Sequence, residues 1–108
     1  MTQEIIELAL IRLVAGKTEE NLRQASEAFQ NGFLSKQNGF VSRDMVRRKD
    51  GTYMDIIRWE SQAQADAVFQ RAQESKVARQ YFSMMEFDPE KMEEGVEHCS
   101  LISSFNGS

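Results

Sequence analysis

The chain has few cysteine and histidine residues, two types that often carry reactive chemistry. Each occurs once among its 108 residues. A single cysteine, Cys99, excludes an internal disulfide. On a strand, Cys99 and its neighbour His98 would point to opposite faces, so no zinc site or thiolate–imidazole pair is expected from them. The sequence has no phosphate-binding loop or dinucleotide motif, so neither a metal nor an organic cofactor is predicted.

Basic charge and long apolar runs are also scarce. Lysine and arginine number 13 against 17 aspartates and glutamates, which gives a net charge of −4. This balance argues against nucleic acid and against an anionic membrane as partners, because both attract basic proteins. Glu7 and Arg12 interrupt the apolar run at residues 4–14, which therefore predicts neither a signal peptide nor a membrane span. We expect one soluble cytoplasmic domain over residues 1–108, with its core at about 5–105.

Apolar residues recur with strand and helix periods in a regular order. Residues 4–14 are apolar on both alternating faces, which indicates a strand covered on both sides, with a helix as the alternative interpretation. Ser61 and Gln64 form a capping box that opens a helix directly after Trp59. Strands are predicted at 4–14, 40–48, 53–59 and 96–105, helices at about 19–36, 61–72 and 76–86, and a further turn at 89–92.

The pair Asp50-Gly51 is the strongest turn signal in the sequence. A two-residue loop there would place Arg43 directly opposite Arg58, on the face of the sheet away from Asp55. Like charges that face each other across strands repel. We therefore expect a carboxylate between the two arginines, in an ion-pair network at a subunit interface, or an anionic ligand that they hold together.

The order of elements is βαββαβ, the α+β ferredoxin-like arrangement with a four-stranded antiparallel sheet. In this topology both helices cover the same face of the sheet. The apolar residues of 4–14 cannot all lie on that face, so the other face needs cover as well. The simplest cover is the same face of a second copy, which predicts a homodimer joined sheet to sheet into an α+β barrel.

Three features resemble the antibiotic biosynthesis monooxygenase-like family of dimeric α+β barrel proteins. Gly39-Phe40 opens the second strand. Residues 56–61, IIRWES, followed by an alanine four positions later, are similar to the family's strand-end tryptophan, helix-capping serine and helix alanine. A short helix with Tyr81 and Phe82 lies where family members cover a ligand cavity. The resemblance implies the same fold and the same dimer.

The resemblance spans about residues 5–105, but it does not imply one activity. Some family members oxidise polyketide aromatics without metal or flavin, and others degrade haem. The haem-degrading branch has an asparagine on the first strand, and a tryptophan and a histidine on helices. These would fall within residues 8–11, near Val68 or Phe69, and near Tyr81 or Phe82, where none of the three is present. Haem degradation is therefore not expected.

Two residues are candidates for proton transfer. Histidine is the side chain whose ordinary pKa lies near neutrality, and His98 could take a proton from a phenol, forming the phenolate that reacts with dioxygen. The alternative is a half-buried or interfacial histidine that binds a backbone carbonyl. Asp55 lies in a strand, where aspartate is disfavoured, and a buried aspartate could act as a base. The alternatives are a salt bridge to Arg48 or another arginine, or simple exposure near the tip of the hairpin.

Four residues are candidates for contact with a planar substrate. Trp59 could stack on it, and a core position between sheet and helix is the alternative. Tyr81, Phe82 and Met85 would form an adaptable apolar wall, which suits a cavity and plain packing equally.

Three functions remain open from the sequence alone. The first is a homodimeric, cofactor-independent monooxygenase acting on a small aromatic or polycyclic metabolite. The second is a non-catalytic small-molecule-binding or stress-related dimer that uses the same cavity, and the third is a structural dimer with a filled core. A cavity lined by Trp59, Tyr81 and a titratable group would favour the first two.

Overall fold

The computed structural model describes residues 3–86 and 95–107. Within these residues the secondary-structure elements follow the predicted order, and the α+β ferredoxin-like fold is confirmed. The strands are β1 (Ile5–Ile11), β2 (Phe40–Arg47), β3 (Tyr53–Trp59) and β4 (Val96–Ser100). The helices are α1 (Glu19–Gly32), α2 (Gln62–Ala72) and α3 (Lys76–Phe82), with a short 3₁₀ turn at Leu34–Lys36. The turn predicted at 89–92 lies outside the described residues.

The four strands form one antiparallel sheet in the order β2-β3-β1-β4. The helices cover one face of it, and alternate residues of β3 are buried there: Tyr53, Asp55, Ile57 and Trp59. The core lies between this face and the helices. The opposite face, which we call the open face, carries the half-buried side chains of Ile6, Leu8, Leu10, Met54 and Ile56.

β1 and α3 both end earlier than predicted, for the same reason. After Ile11 the chain leaves its pairing with β3 and bonds to the segment that follows α3. The Val14 N–H donates to the Met84 carbonyl at 3.0 Å, and the Glu86 N–H donates to the Arg12 carbonyl at 2.7 Å. Two segments predicted as the end of a strand and the end of a helix therefore satisfy each other's backbone groups.

α1 and β4 are also shorter than predicted. α1 ends at Gly32 and the chain continues as a 3₁₀ turn, so the predicted helix at 19–36 changes its hydrogen-bonding pattern rather than stopping. β4 ends at Ser100 because that residue pairs with Ile5, where β1 begins. Beyond it, the Leu101 N–H still donates to the Glu4 carbonyl at 2.9 Å, but residues 101–105 are not part of a strand.

The loop between β2 and β3 is one residue longer than predicted. The Arg48 N–H donates to the Thr52 carbonyl at 2.8 Å, and the Gly51 N–H donates to the Arg48 carbonyl at 3.1 Å. Gly51 has a φ of +87°. This is the three-residue hairpin loop that ends on a left-handed glycine, rather than the two-residue loop that Asp50-Gly51 also fits.

The longer loop changes the register of β2. Arg43 pairs with Ile57, and Met45 pairs with Asp55. A shift of one residue moves every side chain of a strand to the other face. Arg43 therefore lies on the helix-covered face with Asp55, and the prediction that it lies opposite Arg58 was wrong.

Gly39 lies at the corner where β2 meets α2. Comparing its replacement by alanine with that of Gly51 separates the cost of a steric clash from the cost of a left-handed backbone. Its φ is +88°, and an added Cβ would lie 2.5 Å from Gln64 Cδ and 2.7 Å from Gln64 Cβ. Gly51 has nearly the same φ, but nothing lies within 4 Å of its added Cβ. Gly51→Ala is expected to cost about 1–2 kcal/mol of unfolding free energy, the penalty for a left-handed alanine. Gly39→Ala is expected to cost about 1–3 kcal/mol more, because of the clash.

Urea denaturation of both variants measures this difference. Equal losses in the two variants would mean that the Gln64 side chain and its helix move aside without cost.

Candidate functional site

Two polar clusters lie on the helix-covered face, connected by one row of paired residues. His98 pairs with Glu7, Glu7 with Ile57, and Ile57 with Arg43. Asp55 lies one pleat further along β3. We call the group at one side of this row the arginine cluster and the group at the other side the histidine cluster. Their members are Arg43, Asp55 and Tyr81 in the first, and Glu7, Gln62 and His98 in the second.

The arginine cluster is a buried and closed network. Arg43 Nε donates to Asp55 Oδ1 at 3.1 Å, and Arg43 Nη2 donates to the Tyr81 hydroxyl at 2.8 Å. The Tyr81 hydroxyl donates in turn to Asp55 Oδ2 at 2.6 Å. The side chains of Arg43 and Asp55 are 6% and 4% exposed. At that burial each charge depends on the other for compensation.

Helix α1 completes the surroundings of Arg43. Ser26 Oγ accepts a hydrogen bond from Arg43 Nη2 at 2.8 Å. The guanidinium carbon lies 5.4 Å from the Phe29 ring centre and 5.1 Å from that of Tyr81. Burial and the negative charge of Asp55 raise the pKa of Tyr81 far above its usual range, so its hydroxyl keeps the proton that it donates. The cluster thus ties β2, β3, α1 and α3 together.

Asp55 adopts the salt bridge that the sequence left as an alternative, with Arg43 as the arginine. Both of its carboxylate oxygens accept hydrogen bonds inside the core. Arg58 lies on the open face, where its guanidinium donates to Glu4 at 2.8 Å and 3.0 Å. Each arginine therefore has its own carboxylate in the same chain, and the two do not share a partner.

The histidine cluster lies at the N-terminal end of α2 and is partly exposed. His98 Nε2 lies 2.9 Å from Glu7 Oε1, and the two side chains are 30% and 20% exposed. Gln62 Nε2 lies 3.1 Å from His98 Nδ1 and 2.9 Å from Asp66 Oδ1. Among the described residues, the partners of His98 are thus the Glu7 carboxylate and the Gln62 amide. The sequence had suggested a backbone carbonyl instead.

The start of α2 positions Gln62. Ser61 Oγ accepts a hydrogen bond from the Gln64 N–H at 3.2 Å, as the predicted cap requires. The second half of the predicted capping box differs, because Ser61 Oγ donates to Gln64 Oε1 at 3.1 Å. With the helix start fixed at Ser61, Gln62 is the first helical residue, and its side chain reaches β4.

Trp59 is a core residue, with 2% of its surface exposed. Its ring packs edge-on against Phe40, with the ring centres 5.8 Å apart. Its indole Nε1 has no hydrogen-bond partner among the described residues. Trp59 pairs with Ile5, which lies one pleat from Glu7 on β1. The backbones of Trp59 and Glu7 are therefore diagonal neighbours about 7–8 Å apart.

The remaining candidates lie on α3 or just after it. Tyr81 is 1% exposed, whereas Phe82 is 40% exposed and contacts the Phe29 ring at 5.6 Å. Met85 bridges to Leu13, beyond the end of β1. Leu13 is about 20 Å from Glu7 along an extended chain. Met85 and His98 are therefore too far apart to contact the same small aromatic molecule.

Two grooves open on the surface near α1. The smaller, of about 240 Å³, reaches Arg43 and Met45 of β2. The larger, of about 370 Å³, lies between α1 and the end of α3, and its lining residues are mostly amides and small side chains: Lys17, Asn21, Gln24, Ala25, Ala28, Gln80, Ser83 and Met84. Neither groove is lined by Trp59 or Tyr81, so neither is the cavity that the sequence predicted.

Within residues 3–86 and 95–107, no three histidine, cysteine, aspartate or glutamate side chains are grouped so that they could hold a metal ion. In the same part of the chain, no helix combines the length and the apolar character needed to cross a membrane.

Glu7 and Gln62 were missed as site residues by sequence reasoning. A glutamate inside the apolar stretch 4–14 was a usable signal, but it was interpreted as an interruption of the apolar run. Its actual partner, His98, lies 91 positions away in sequence. Gln62 is the first residue after a predicted helix cap, and its approach to β4 depends on how α2 packs.

No protein family model matches the sequence, and no curated protein is significantly similar to it. Solved structures do resemble it. SnoaB, a cofactor-independent oxygenase from Streptomyces nogalater, matches with a TM-score of 0.66 and 14% identity over 97% of both chains. The ActVA-Orf6 monooxygenase of Streptomyces coelicolor, solved with Nanaomycin D, matches with a TM-score of 0.64 and 13% identity over 98% of this chain and 94% of that one.

A haem-degrading protein is also among the similar structures. Rv3592 from Mycobacterium tuberculosis matches with a TM-score of 0.58 and 14% identity over 99% of this chain and 100% of that one. At such identities the likeness shows a shared fold. It confirms the architecture that the sequence resemblance implied.

Proposed function

We propose that the protein belongs to the antibiotic biosynthesis monooxygenase-like family and oxidises a small phenolic or polycyclic aromatic metabolite without a cofactor. The observation that carries this proposal is the Glu7–His98 pair. It is an imidazole 2.9 Å from a carboxylate, on the helix-covered face and still 30% exposed. The shared fold with a cofactor-independent oxygenase and a monooxygenase supports the reaction class.

His98 accepts the proton of the substrate hydroxyl. The resulting phenolate is electron-rich and transfers an electron to dioxygen. Recombination of the two radicals forms a peroxide anion on a ring carbon, which takes the proton back from His98 and becomes a hydroperoxide. Loss of water from the hydroperoxide leaves a quinone. One phenol and one dioxygen thus give one quinone and one water, and the substrate supplies all the electrons. Glu7 accepts a hydrogen bond from the ring and orients the imidazole.

The other predicted site residues take different roles in this proposal. Asp55 is already bound by Arg43 and Tyr81, so proton transfer is assigned to His98 alone. Trp59 lies one pleat from Glu7, and its indole N–H, which has no partner among the described residues, is a donor that a substrate oxygen would satisfy. Tyr81, Phe82 and Met85 would contact only a ligand that extends toward α3.

We propose that the protein acts as a homodimer through the open face. β1 and β3 place five apolar side chains next to one another there, Ile6, Leu8, Leu10, Met54 and Ile56. An apolar sheet face of this kind needs cover, and a second copy related by a two-fold axis supplies a matching surface.

A non-catalytic small-molecule-binding dimer is the second candidate, and the 370 Å³ groove beside α1 favours it. Among the described residues that line this groove, Lys17 is the only charged side chain. A polar molecule held there would lie against amides and a serine, and none of the described lining residues is an aspartate, glutamate or histidine that could start the oxidation.

His98→Ala is expected to slow oxygen uptake with a dihydroxynaphthalene by about 100-fold or more, since a positioned base contributes about 10²–10⁴. An oxygen electrode and the absorbance of the quinone product measure the rate. Gln70→Ala, on the exposed side of α2, is the matched control and should keep the wild-type rate.

Full activity in His98→Ala would rule out the proposed role of the histidine. Binding of the same compound by the wild-type protein without oxygen uptake would favour the second candidate.

A further inference from the structure

We infer that Asp66 and Gln62 fix the tautomer of His98, with the proton on Nε2, and so make Nδ1 the atom that accepts the substrate's proton. The four side chains form one line of hydrogen bonds from α2 through β4 to β1. The tautomer follows from the hydrogen bonds alone. Its use in oxidation rests on the proposed function.

The orientation of the Gln62 amide is set by Asp66. A carboxylate accepts hydrogen bonds and donates none. The atom of Gln62 that lies 2.9 Å from Asp66 Oδ1 is therefore the amide nitrogen and not the amide oxygen. The same nitrogen lies 3.1 Å from His98 Nδ1. Because the amide nitrogen carries two hydrogens, it donates one to each neighbour, and Nδ1 must accept.

Glu7 fixes the other nitrogen of the ring. A neutral imidazole whose Nδ1 accepts carries its proton on Nε2. His98 Nε2 lies 2.9 Å from Glu7 Oε1, which again can only accept. The opposite tautomer would set two donors against each other at Nδ1 and two acceptors against each other at Nε2. One tautomer therefore satisfies every contact, and the other breaks two.

This arrangement determines where a substrate must bind. The lone pair of Nδ1 is the basic position of the ring, and it faces the N-terminal end of α2. A substrate hydroxyl reaches it by taking the place of the Gln62 N–H. That N–H can then donate to the hydroxyl oxygen as it becomes negatively charged. Gln62 is a positioning residue in the free protein and a hydrogen-bond donor to the phenolate in the complex.

Nitrogen-15 NMR of the imidazole tests the inference directly, because the chain has one histidine. In mildly alkaline buffer, where an imidazole is neutral, the wild-type spectrum should show a protonated Nε2 and an unprotonated Nδ1. Gln62→Ala and Asp66→Asn should each lower the tautomer ratio by about fivefold, the effect of one hydrogen bond. Gln62→Glu should abolish the preference for a protonated Nε2, because carboxylates then face both nitrogens of the ring and each accepts a hydrogen bond. Gln70→Ala should leave the spectrum unchanged.

A wild-type ring protonated on Nδ1, or the same ratio in the wild type, Gln62→Ala and Gln62→Glu, would overturn the inference. Turnover of the dihydroxynaphthalene tests the proposed function separately. If the tautomer shifts as expected but His98→Ala oxidises the substrate at the full rate, the inference about the tautomer stands and the proposed function fails. If His98→Ala is inactive and the tautomer does not respond to Gln62, the reverse holds.

Discussion

Asp55→Ala is expected to lower the free energy of unfolding by about 3–5 kcal/mol, because it leaves the charge of Arg43 buried without a partner. Arg43 is 6% exposed at its side chain and donates two hydrogen bonds to Asp55. The Tyr81 hydroxyl loses its acceptor in the same variant. Urea denaturation followed by the fluorescence of the single tryptophan measures the loss.

A second ion pair in the same chain provides a matched control. Arg47 Nη1 lies 2.8 Å from Glu19 Oε1, but the two side chains are 66% and 37% exposed. Glu19→Ala is therefore expected to cost far less than Asp55→Ala, because solvent screens the pair. Similar small losses in Glu19→Ala and Asp55→Ala would contradict the structural role of the arginine cluster.

Removing both buried charges should be tolerated better than removing one. In the double variant Arg43→Met with Asp55→Leu no charge stays uncompensated, and the apolar side chains fill a comparable volume. We expect it to be more stable than Asp55→Ala. A double variant that is less stable than the single one would mean that hydrogen bonds from Tyr81 and Ser26, rather than the ion pair, hold this part of the core.

Leu8→Glu is expected to convert the proposed dimer into a monomer. Leu8 lies between Ile56 of β3 and Glu97 of β4, at the middle of the open face. Association would bury one unpaired carboxylate in each copy, which should weaken the dimer by about a thousandfold or more. Light scattering at micromolar concentration measures the molecular mass.

Gln70→Glu adds the same charge on α2, on the helix-covered side of the sheet, and should leave the dimer intact. A wild-type protein that is monomeric at micromolar concentration would refute the dimer. A Leu8→Glu variant that stays dimeric would place the interface elsewhere.

The bounds of β3 and the start of α2 could be predicted, because local residue patterns determine both. β3 has the predicted bounds because apolar and aromatic residues are concentrated from Tyr53 to Trp59, and the turn and the helix cap at its two ends stop it on both sides. The start of α2 was predicted for the same reason, since Ser61 caps it with its own side chain. The family resemblance came from this same strand-to-helix joint, and the solved structures confirm the fold that it implied.

Features that depend on distant contacts could not be predicted in the same way. β1 and α3 end where they do because residues 12–14 bond to residues 84–86, which no local period records. The Glu7–His98 pair requires the register between β1 and β4, which packing sets. The sequence left a salt bridge of Asp55 open but placed Arg43 on the wrong face. The error was one residue of loop length, because Asp50-Gly51 fits loops of two or three residues equally well.

Two irregularities, one at each end of β2, change its register and compensate for each other. The three-residue loop after Arg48 puts the odd-numbered residues from Arg43 to Arg47 on the inner side of the sheet. The register shift between Phe40 and Ser42 then exchanges odd and even positions, so that the even-numbered Phe40 is opposite Trp59. Deleting a single residue from the loop would move Arg43 to the open face, and Asp55 would stay on the helix-covered face without its ion-pair partner. During divergence, therefore, the length of this loop can change only in steps of two, or together with the bulge.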